Sequence, residues 1–149
     1  MDTKTIVITG ASRGIGLGMA EEFAQAGHRL GLLARSPIPL EGANVLTWQG
    51  SVTDETTVTG FAEAVAERFG PIDLWINNAG ILGDIGPSRS QTPETFEKVL
   101  SVNVTGVFIG SKAYVNHLDA ADHTGVLINV SSGAAQKAYA GWAAYCASK

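Results

Sequence analysis

The sequence predicts an α/β fold in which a parallel sheet is covered by helices on both faces. Short β-branched apolar runs alternate with segments whose apolar residues recur at helical spacing, and this alternation is typical of that class. Glycines stand at several of the boundaries between these segments. The chain has 149 residues, which is enough for one domain with a buried core. We therefore expect a single domain over residues 1–149.

The first strand and the first helix are joined by a loop rich in glycine. The run TIVITG ends at Gly10 and is typical of a buried strand. After Gly14, the segment IGLGMAEEFAQAG has apolar residues at helical spacing, and Gly27 is a suitable end for the helix.

The second and third strands are expected at HRLGLLA and NVLTW. Only SPIPLEGA, with its two prolines, separates them. A parallel crossover normally takes about a dozen residues or more and usually contains a helix. We expect a loop here, with one turn at most.

A second helix and a fourth strand follow. Thr53 or Asp54 is expected to cap a helix that runs to about Phe69. The fourth strand is IDLWI, which ends at NNAG. The inner face of the helix is predicted to carry Phe61, Ala62, Val65 and Phe69.

The last two elements are a long helix and a fifth strand, GVLINVS. The helix is predicted over 92–118, with Thr92 as its cap and Pro93 at its first position. Its inward residues are predicted to be Phe96, Val99, Leu100, Val104, Val107 and Phe108.

Composition narrows the function classes. A formal net charge of −4 argues against nucleic acid, which is bound by clustered lysine and arginine. No apolar run approaches the ~20 residues that cross a bilayer, and the N-terminal run is too short for a signal peptide. The lone cysteine, Cys146, is expected to pack in a helix and suits a reducing, cytoplasmic location. The three histidines lack metal-ligand spacing, so no metal site is expected.

The glycine loop TGASRGIG carries the first functional signal. Gly10, Gly14 and Gly16 allow a tight turn and a close approach of the backbone to a ligand. The helix that follows offers free N–H groups and a partial positive charge to a pyrophosphate. The alternative is a tight turn without a ligand. Placement directly after the first strand of an alternating pattern favours a dinucleotide.

The same loop resembles the TGxxxGIG signature of the short-chain dehydrogenases/reductases. NNAG at 77–80, SVNVTG around Asn103, NVSS at 129–132 and YCASK at 145–149 are similar to further motifs of that family, in the same order. The resemblance implies a Rossmann-like doubly wound sheet with strand order 3-2-1-4-5. Members of the family continue past the YxxxK motif to strands six and seven. The resemblance therefore implies that residues 1–149 are the dinucleotide-binding domain of a C-terminally truncated enzyme, in which the fifth strand is left as an exposed edge of the sheet.

Two arginines bear on the choice of cofactor. An acidic residue at the end of the second strand selects NAD, but this chain has Arg35 there, and Arg13 lies in the glycine loop. Each is a surface charge or a partner for a 2′-phosphate; together they favour NADP(H) over NAD(H). Ser51 and Val52 stand where relatives carry Asp-Val, which puts the adenine contact in doubt. By resemblance, the cofactor-binding residues are Gly10, Ser12, Arg13, Gly14, Ile15, Gly16, Arg35, Ser51, Val52, Asn77, Ala79, Gly80, Tyr145 and Lys149.

The last five residues contain a candidate acid. Tyr145 and Lys149 are four apart and would share a helix face, where an ammonium makes a tyrosine a better proton donor. The resemblance implies that Lys149 also holds the nicotinamide ribose. It further implies that Ser132, thirteen positions before Tyr145, binds the substrate oxygen, with Ser131 as the rival. Asn103 is expected to make a structural hydrogen bond to the backbone. The alternative, which the resemblance implies, is that it belongs to a water relay that leads to Lys149.

These residues imply an NADP(H)-dependent oxidoreductase that interconverts a carbonyl and an alcohol, with the tyrosine as general acid and base. The alternative is a catalytically impaired nucleotide-binding fragment that lacks the substrate-covering half. The expected partner is a small-molecule carbonyl or alcohol substrate. The resemblance also implies a homo-oligomer, dimer or tetramer, of the complete protein.

Overall fold

A computed structural model describes residues 2–149. Its five strands form one sheet. All four strand pairs are parallel and the order is β3-β2-β1-β4-β5, which confirms the expected order. The strands are β1 (Thr5–Thr9), β2 (Arg29–Ala34), β3 (Val45–Gln49), β4 (Leu74–Asn77) and β5 (Val126–Asn129). The helices are α1 (Gly14–Gln25), α2 (Glu55–Phe69), α3 (Pro93–Leu100), α4 (Gly106–Ala121) and α5 (Ala143–Ser148).

Helices cover both faces of the sheet, as the alternation predicted. Every side chain of β1 is buried, because the strand is central and packed on both sides. On one face the core contains Phe61 of α2 and Tyr114 of α4 around Trp75 of β4. On the other face Ala20 of α1 packs against Ile8 and its neighbours.

The predicted helix ends are largely confirmed. Asp54 caps α2 by accepting a hydrogen bond from the N–H of Thr56 over 3.0 Å. Thr92 caps α3, with Pro93 in the first turn, and Gly27 just after α1 has a positive φ of 82°. Phe69, at the end of α2, is only partly buried. Residues 35–44, between β2 and β3, contain no helix, as expected.

The long helix predicted over 92–118 is interrupted by one π-helical turn, Ser101–Thr105. The wider turn shifts the buried face, because the register of a π turn differs from that of an α-helix. Asn103 and Ile109 are buried, whereas Val104 is 47% exposed and Phe108 is 64% exposed. The inward placement predicted for Val104 and Phe108 is therefore wrong.

The edge of the sheet at β5 is apolar and accessible. Val126 is 57% exposed and Ile128 is 42% exposed, although the apolar sequence of their strand, VLIN, is typical of a buried strand. Among residues 2–149, no helix has both the length and the apolar character needed to cross a membrane.

Candidate active site

A crevice of about 310 Å³ opens at the carboxyl ends of β1, β2 and β4. This is the size of a small-molecule site, and the position is where parallel α/β sheets bind ligands. Most of the predicted cofactor-binding residues line it: Gly10, Ser12, Arg13, Gly14, Ile15, Gly16, Arg35, Ser51, Val52, Ala79 and Gly80.

The three glycines of the turn between β1 and α1 have different reasons to lack a side chain. Gly10 has a φ of 70°, and a Cβ atom there would lie 2.7 Å from the Cα of Ala79. A Cβ atom on Gly16 would collide with the carbonyl oxygen of Gly10. Gly14 has a φ of 58° and nothing within 4 Å of its Cβ position, so only its backbone conformation demands glycine. The turn is thus tight on the protein side and open on the crevice side.

The N-terminus of α1 faces this opening without a protein cap. Arg13 occupies the N-cap position, its side chain makes no capping hydrogen bond, and the first turn contains no acidic residue. The first N–H groups of a helix have no partner within the helix and carry a partial positive charge. The arrangement can therefore accept an anion such as a pyrophosphate.

Asn77, the last residue of β4, and Asn78, which follows it, point to different places. Asn77 was predicted in the crevice, but it is buried: its Oδ1 accepts from Nε1 of Trp75 over 2.9 Å, and its Nδ2 donates to Oδ1 of Asn129 over 2.9 Å. The side chain that reaches the crevice is that of Asn78, which was not among the residues predicted there. The alternation of side chains along β4 is the signal that was missed, because it places Asn77 on the same face as Trp75.

Two arginines and no acidic residue line the crevice. Arg13 and Arg35 are both exposed, and neither forms an ion pair in the part of the chain that the structure describes. The backbone of Arg35 is fixed by Gln49, whose Nε2 donates to its carbonyl oxygen over 2.9 Å. Two free guanidinium groups thus stand at the end of β2 and the start of α1, where they can pair with a phosphate.

Ser51 lines the crevice, but its hydroxyl is already engaged. Its Oγ lies 2.8 Å from Oγ1 of Thr53 and accepts a hydrogen bond from the N–H of Thr53 over 3.2 Å. The serine therefore shapes the turn before α2 and has limited capacity for a ligand.

Asn103 is buried in the π turn and binds the loop after β4. Its Oδ1 accepts from the N–H of Ile81, and its Nδ2 donates to the carbonyl oxygen of Ile81, both over 2.8 Å. The structural hydrogen bond considered for this residue is thus present. A Cβ atom on Gly80 would lie 3.4 Å from Oδ1 of Asn103 and 3.5 Å from Nζ of Lys149, so Gly80 leaves room between the two.

Tyr145 and Lys149 lie side by side on α5 and the residue after it. Nζ of Lys149 is 5.8 Å from the centre of the Tyr145 ring and donates to the carbonyl oxygen of Val130 over 3.0 Å. Burial lowers the pKa of the Lys149 ammonium. The ring of Trp142 packs edge-on against Tyr145, with 5.8 Å between the ring centres. Within residues 2–149 the Tyr145 hydroxyl makes no hydrogen bond.

The two candidate serines after β5 differ in their bonding. Ser131 is exposed, whereas Ser132 is half-buried and its Oγ accepts from the N–H of Ala134 over 3.2 Å. Ser132 caps the short 3₁₀ turn Gly133–Ala135 in this way. Among residues 2–149, no three histidine, cysteine or acidic side chains are grouped to hold a metal ion.

Comparison with known proteins places this architecture in context. Residues 4–149 match the family model described as short chain dehydrogenase. The chain is 36% identical, over 99% of its length, to the 2-(R)-hydroxypropyl-CoM dehydrogenase of Xanthobacter autotrophicus, of which it covers 63%.

Two solved structures are also similar. The alcohol dehydrogenase of the archaeon Thermococcus sibiricus, complexed with 5-hydroxy-NADP, is 30% identical with a TM-score of 0.87, over 99% of this chain and 66% of that one. An NAD⁺-bound xylitol dehydrogenase is 33% identical with a TM-score of 0.90, over 98% of this chain and 59% of that one. The chain thus spans somewhat less than two thirds of these relatives, which between them bind both kinds of nicotinamide cofactor.

Proposed function

The chain belongs to the short-chain dehydrogenase family of oxidoreductases, and we propose that it uses NADP(H) to interconvert a small-molecule carbonyl and an alcohol. The observation that carries this proposal is a crevice with an uncapped helix N-terminus, two unpaired arginines and no acid. The same crevice includes Gly80, which adjoins Asn103 and Lys149.

The residues present fit a 2′-phosphorylated dinucleotide. The open N-terminus of α1 would hold the pyrophosphate, and the absence of a side chain at Gly10 lets the turn approach Ala79 closely. Arg35 and Arg13 would pair with the 2′-phosphate, which a carboxylate at the end of β2 would repel. When bound, the nicotinamide supplies the hydride to a carbonyl or accepts it from an alcohol.

Tyr145 would act as the general acid in reduction and the general base in oxidation. Its hydroxyl has no partner among the described residues and is free to meet a substrate oxygen. Lys149 places a cationic group beside the ring, which favours the phenolate formed when the proton leaves. An ammonium has three hydrogens and one is used on Val130, so two remain for the ribose and a water.

Ser132 would hold the substrate oxygen. Its Oγ already accepts from Ala134, which leaves the hydroxyl hydrogen available to donate to a carbonyl oxygen. The exposed Ser131 has no such fixed orientation. For Asn103, both amide hydrogens are committed, so the proposed water relay would use the remaining lone pair of Oδ1, near Lys149.

A fluorescence titration of the purified chain with NADPH, and separately with NADH, tests the proposal. Tighter binding of NADPH, followed by consumption of NADPH that depends on added carbonyl, supports it. Binding without turnover supports the alternative of a nucleotide-binding module. Failure to bind either cofactor contradicts both.

A further inference from the structure

The hydroxyl of Ser148 joins two parts of the candidate active site. Its Oγ accepts from Nδ2 of Asn103 over 2.8 Å and donates to the carbonyl oxygen of Tyr145 over 2.8 Å. A hydroxyl has a single hydrogen, and the carbonyl can only accept, so the direction of both bonds is fixed. Ser148 therefore accepts a hydrogen bond from the π turn and donates one to α5, the helix that carries Tyr145.

On its other side, Asn103 is bonded to the loop after β4. With two bonds to Ile81 and one to Ser148, its amide uses both N–H groups and one of the two lone pairs of Oδ1, while the residue is 4% exposed. Hydrogen bonds are stronger in a buried site, and a buried amide group that loses its partner lowers the stability of the fold. The loop, the π turn and α5 are thus linked through one buried amide and one hydroxyl.

The placement of α5 depends on contacts of this kind. Trp142, at its N-cap position, provides no side-chain capping bond. Ser148 is three residues after Tyr145, one helical turn along, and directly precedes Lys149. Its two bonds and the bond from Lys149 to Val130 therefore fix the turn that carries both functional groups.

We propose that Ser148 is a positioning residue that holds Tyr145 and Lys149 in register with Asn103 and the loop containing Ile81. The inference rests on the proposed function, since positioning has a catalytic effect only if Tyr145 is the proton donor. It assigns the hydroxyl no contact with substrate or cofactor.

The test compares Ser148→Ala, which removes the hydroxyl, with Ser148→Thr, which keeps it, in the full chain. Ser88→Ala is the matched control, because Ser88 is exposed and its hydroxyl makes no hydrogen bond within residues 2–149. The readouts are amide hydrogen exchange at Ile81, NADPH titration, and the pH profile of kcat with ethyl pyruvate as the carbonyl probe.

For Ser148→Ala we expect Ile81 exchange to rise and kcat to fall, each about tenfold, from the loss of one buried bond. The pH profile of kcat should move, while the Kd of NADPH stays within about twofold of the parent value. Ser148→Thr should restore all of these, and Ser88→Ala should change none. Unchanged Ile81 exchange together with an unchanged kcat and pH profile overturns the proposal, as does a loss of thermal stability alone.

If Ser148→Ala does not fold, Ser148→Cys replaces it, because a thiol keeps the size and bonds only weakly; its expected changes have the same direction. If the parent chain binds NADPH but does not reduce the probe, amide hydrogen exchange at Ile81 in Ser148→Ala remains the test of the positioning role. A parent chain that binds no NADPH refutes the proposed function, and Ile81 exchange again decides on Ser148 separately.

Discussion

Asn78 and Thr9 are joined by two hydrogen bonds at the carboxyl ends of the neighbouring strands β4 and β1. The N–H of Asn78 donates to Oγ1 of Thr9 over 3.1 Å, and its Nδ2 donates to the carbonyl oxygen of Thr9 over 3.0 Å. The same Nδ2 lies 3.3 Å from the carbonyl oxygen of Gly10. The loop after β4 is thereby fastened to the start of the glycine turn, and the two walls of the crevice are held at a fixed distance.

Replacing Asn78 by alanine tests this link. Asn78→Ala should lower the free energy of unfolding by about 1–3 kcal/mol, because two carbonyl oxygens in a partly buried place lose their donor. NADPH affinity should fall as well, since the glycine turn loses the two bonds from Nδ2 of Asn78, although the backbone N–H still bonds Thr9. Urea unfolding and a fluorescence titration measure the two effects. Asn116→Ala, at an exposed position of α4, is the control and should leave both unchanged.

The parts of the fold that follow from local patterns were predictable from the sequence. Alternating strands and helices, the cap at Asp54 and the turn at Gly27 depend on nearby residues, and the structure has them where the patterns indicate. The π turn was not predictable in this way. A periodicity of 3.6 residues assigns Phe108 to the inner face, and one wider turn earlier in the chain moves it outward.

In the candidate site, motifs indicated many of the residues that line the crevice but not the direction of their side chains. The NNAG motif includes residues that line the crevice, yet Asn77 faces the core and Asn78 faces the crevice. The bond between Asn103 and Ser148 joins residues 45 positions apart in the chain, so no local pattern indicates it.

The glycines of the first turn and the first helix offer a matched pair of substitutions. Gly10→Ala should destabilise the fold by several kcal/mol, because the new Cβ would lie 2.7 Å from backbone and φ is 70°. Gly18→Ala, within α1, meets nothing within 4 Å and should stabilise the fold by about 0.5–1 kcal/mol. Chemical denaturation of both variants measures the difference. Equal effects of the two substitutions would show that the approach of Gly10 to Ala79 is not the constraint.

Cofactor preference should depend on Arg35. Arg35→Asp places a carboxylate where the 2′-phosphate is proposed to lie, so the ratio of NADPH to NADH affinity should fall at least about tenfold, from charge-assisted bonds worth about 1.5–3 kcal/mol. Arg89→Asp, with the same charge change at an exposed position outside the crevice, is the control. Titrations with both cofactors give the ratio, and an unchanged ratio in Arg35→Asp argues against the assigned 2′-phosphate site.

Stability should depend on pH through His117. Its Nε2 accepts a hydrogen bond from the N–H of Ile72 over 3.0 Å, which a protonated ring cannot do. Burial, and secondarily the charge of His123, lowers the pKa of His117, so the folded chain binds this proton less readily than the unfolded chain. The contribution is complete above the unfolded value of about 6.5 and is lost as the pH falls below it.

His117→Gln keeps an acceptor and removes the titration. We expect the free energy of unfolding of the parent to decrease between about pH 7.5 and about pH 5.5, and that of His117→Gln to decrease less. Urea unfolding at both values measures this. An identical decrease in the two chains would assign the pH dependence to other groups.

If Tyr145 is the general acid, removal of its hydroxyl should lower kcat without changing the affinity for NADPH. Tyr145→Phe removes only the hydroxyl, so kcat should fall by a factor on the order of 10²–10⁴, the usual contribution of a positioned acid. The ring still packs against Trp142, and the Kd of NADPH should therefore stay within about twofold. Tyr139→Phe is the matched control: Tyr139 also packs on Trp142, with 5.1 Å between the ring centres, but is 41% exposed. A kcat that falls equally in both variants would mean that the aromatic cluster, and not the Tyr145 hydroxyl, limits the reaction.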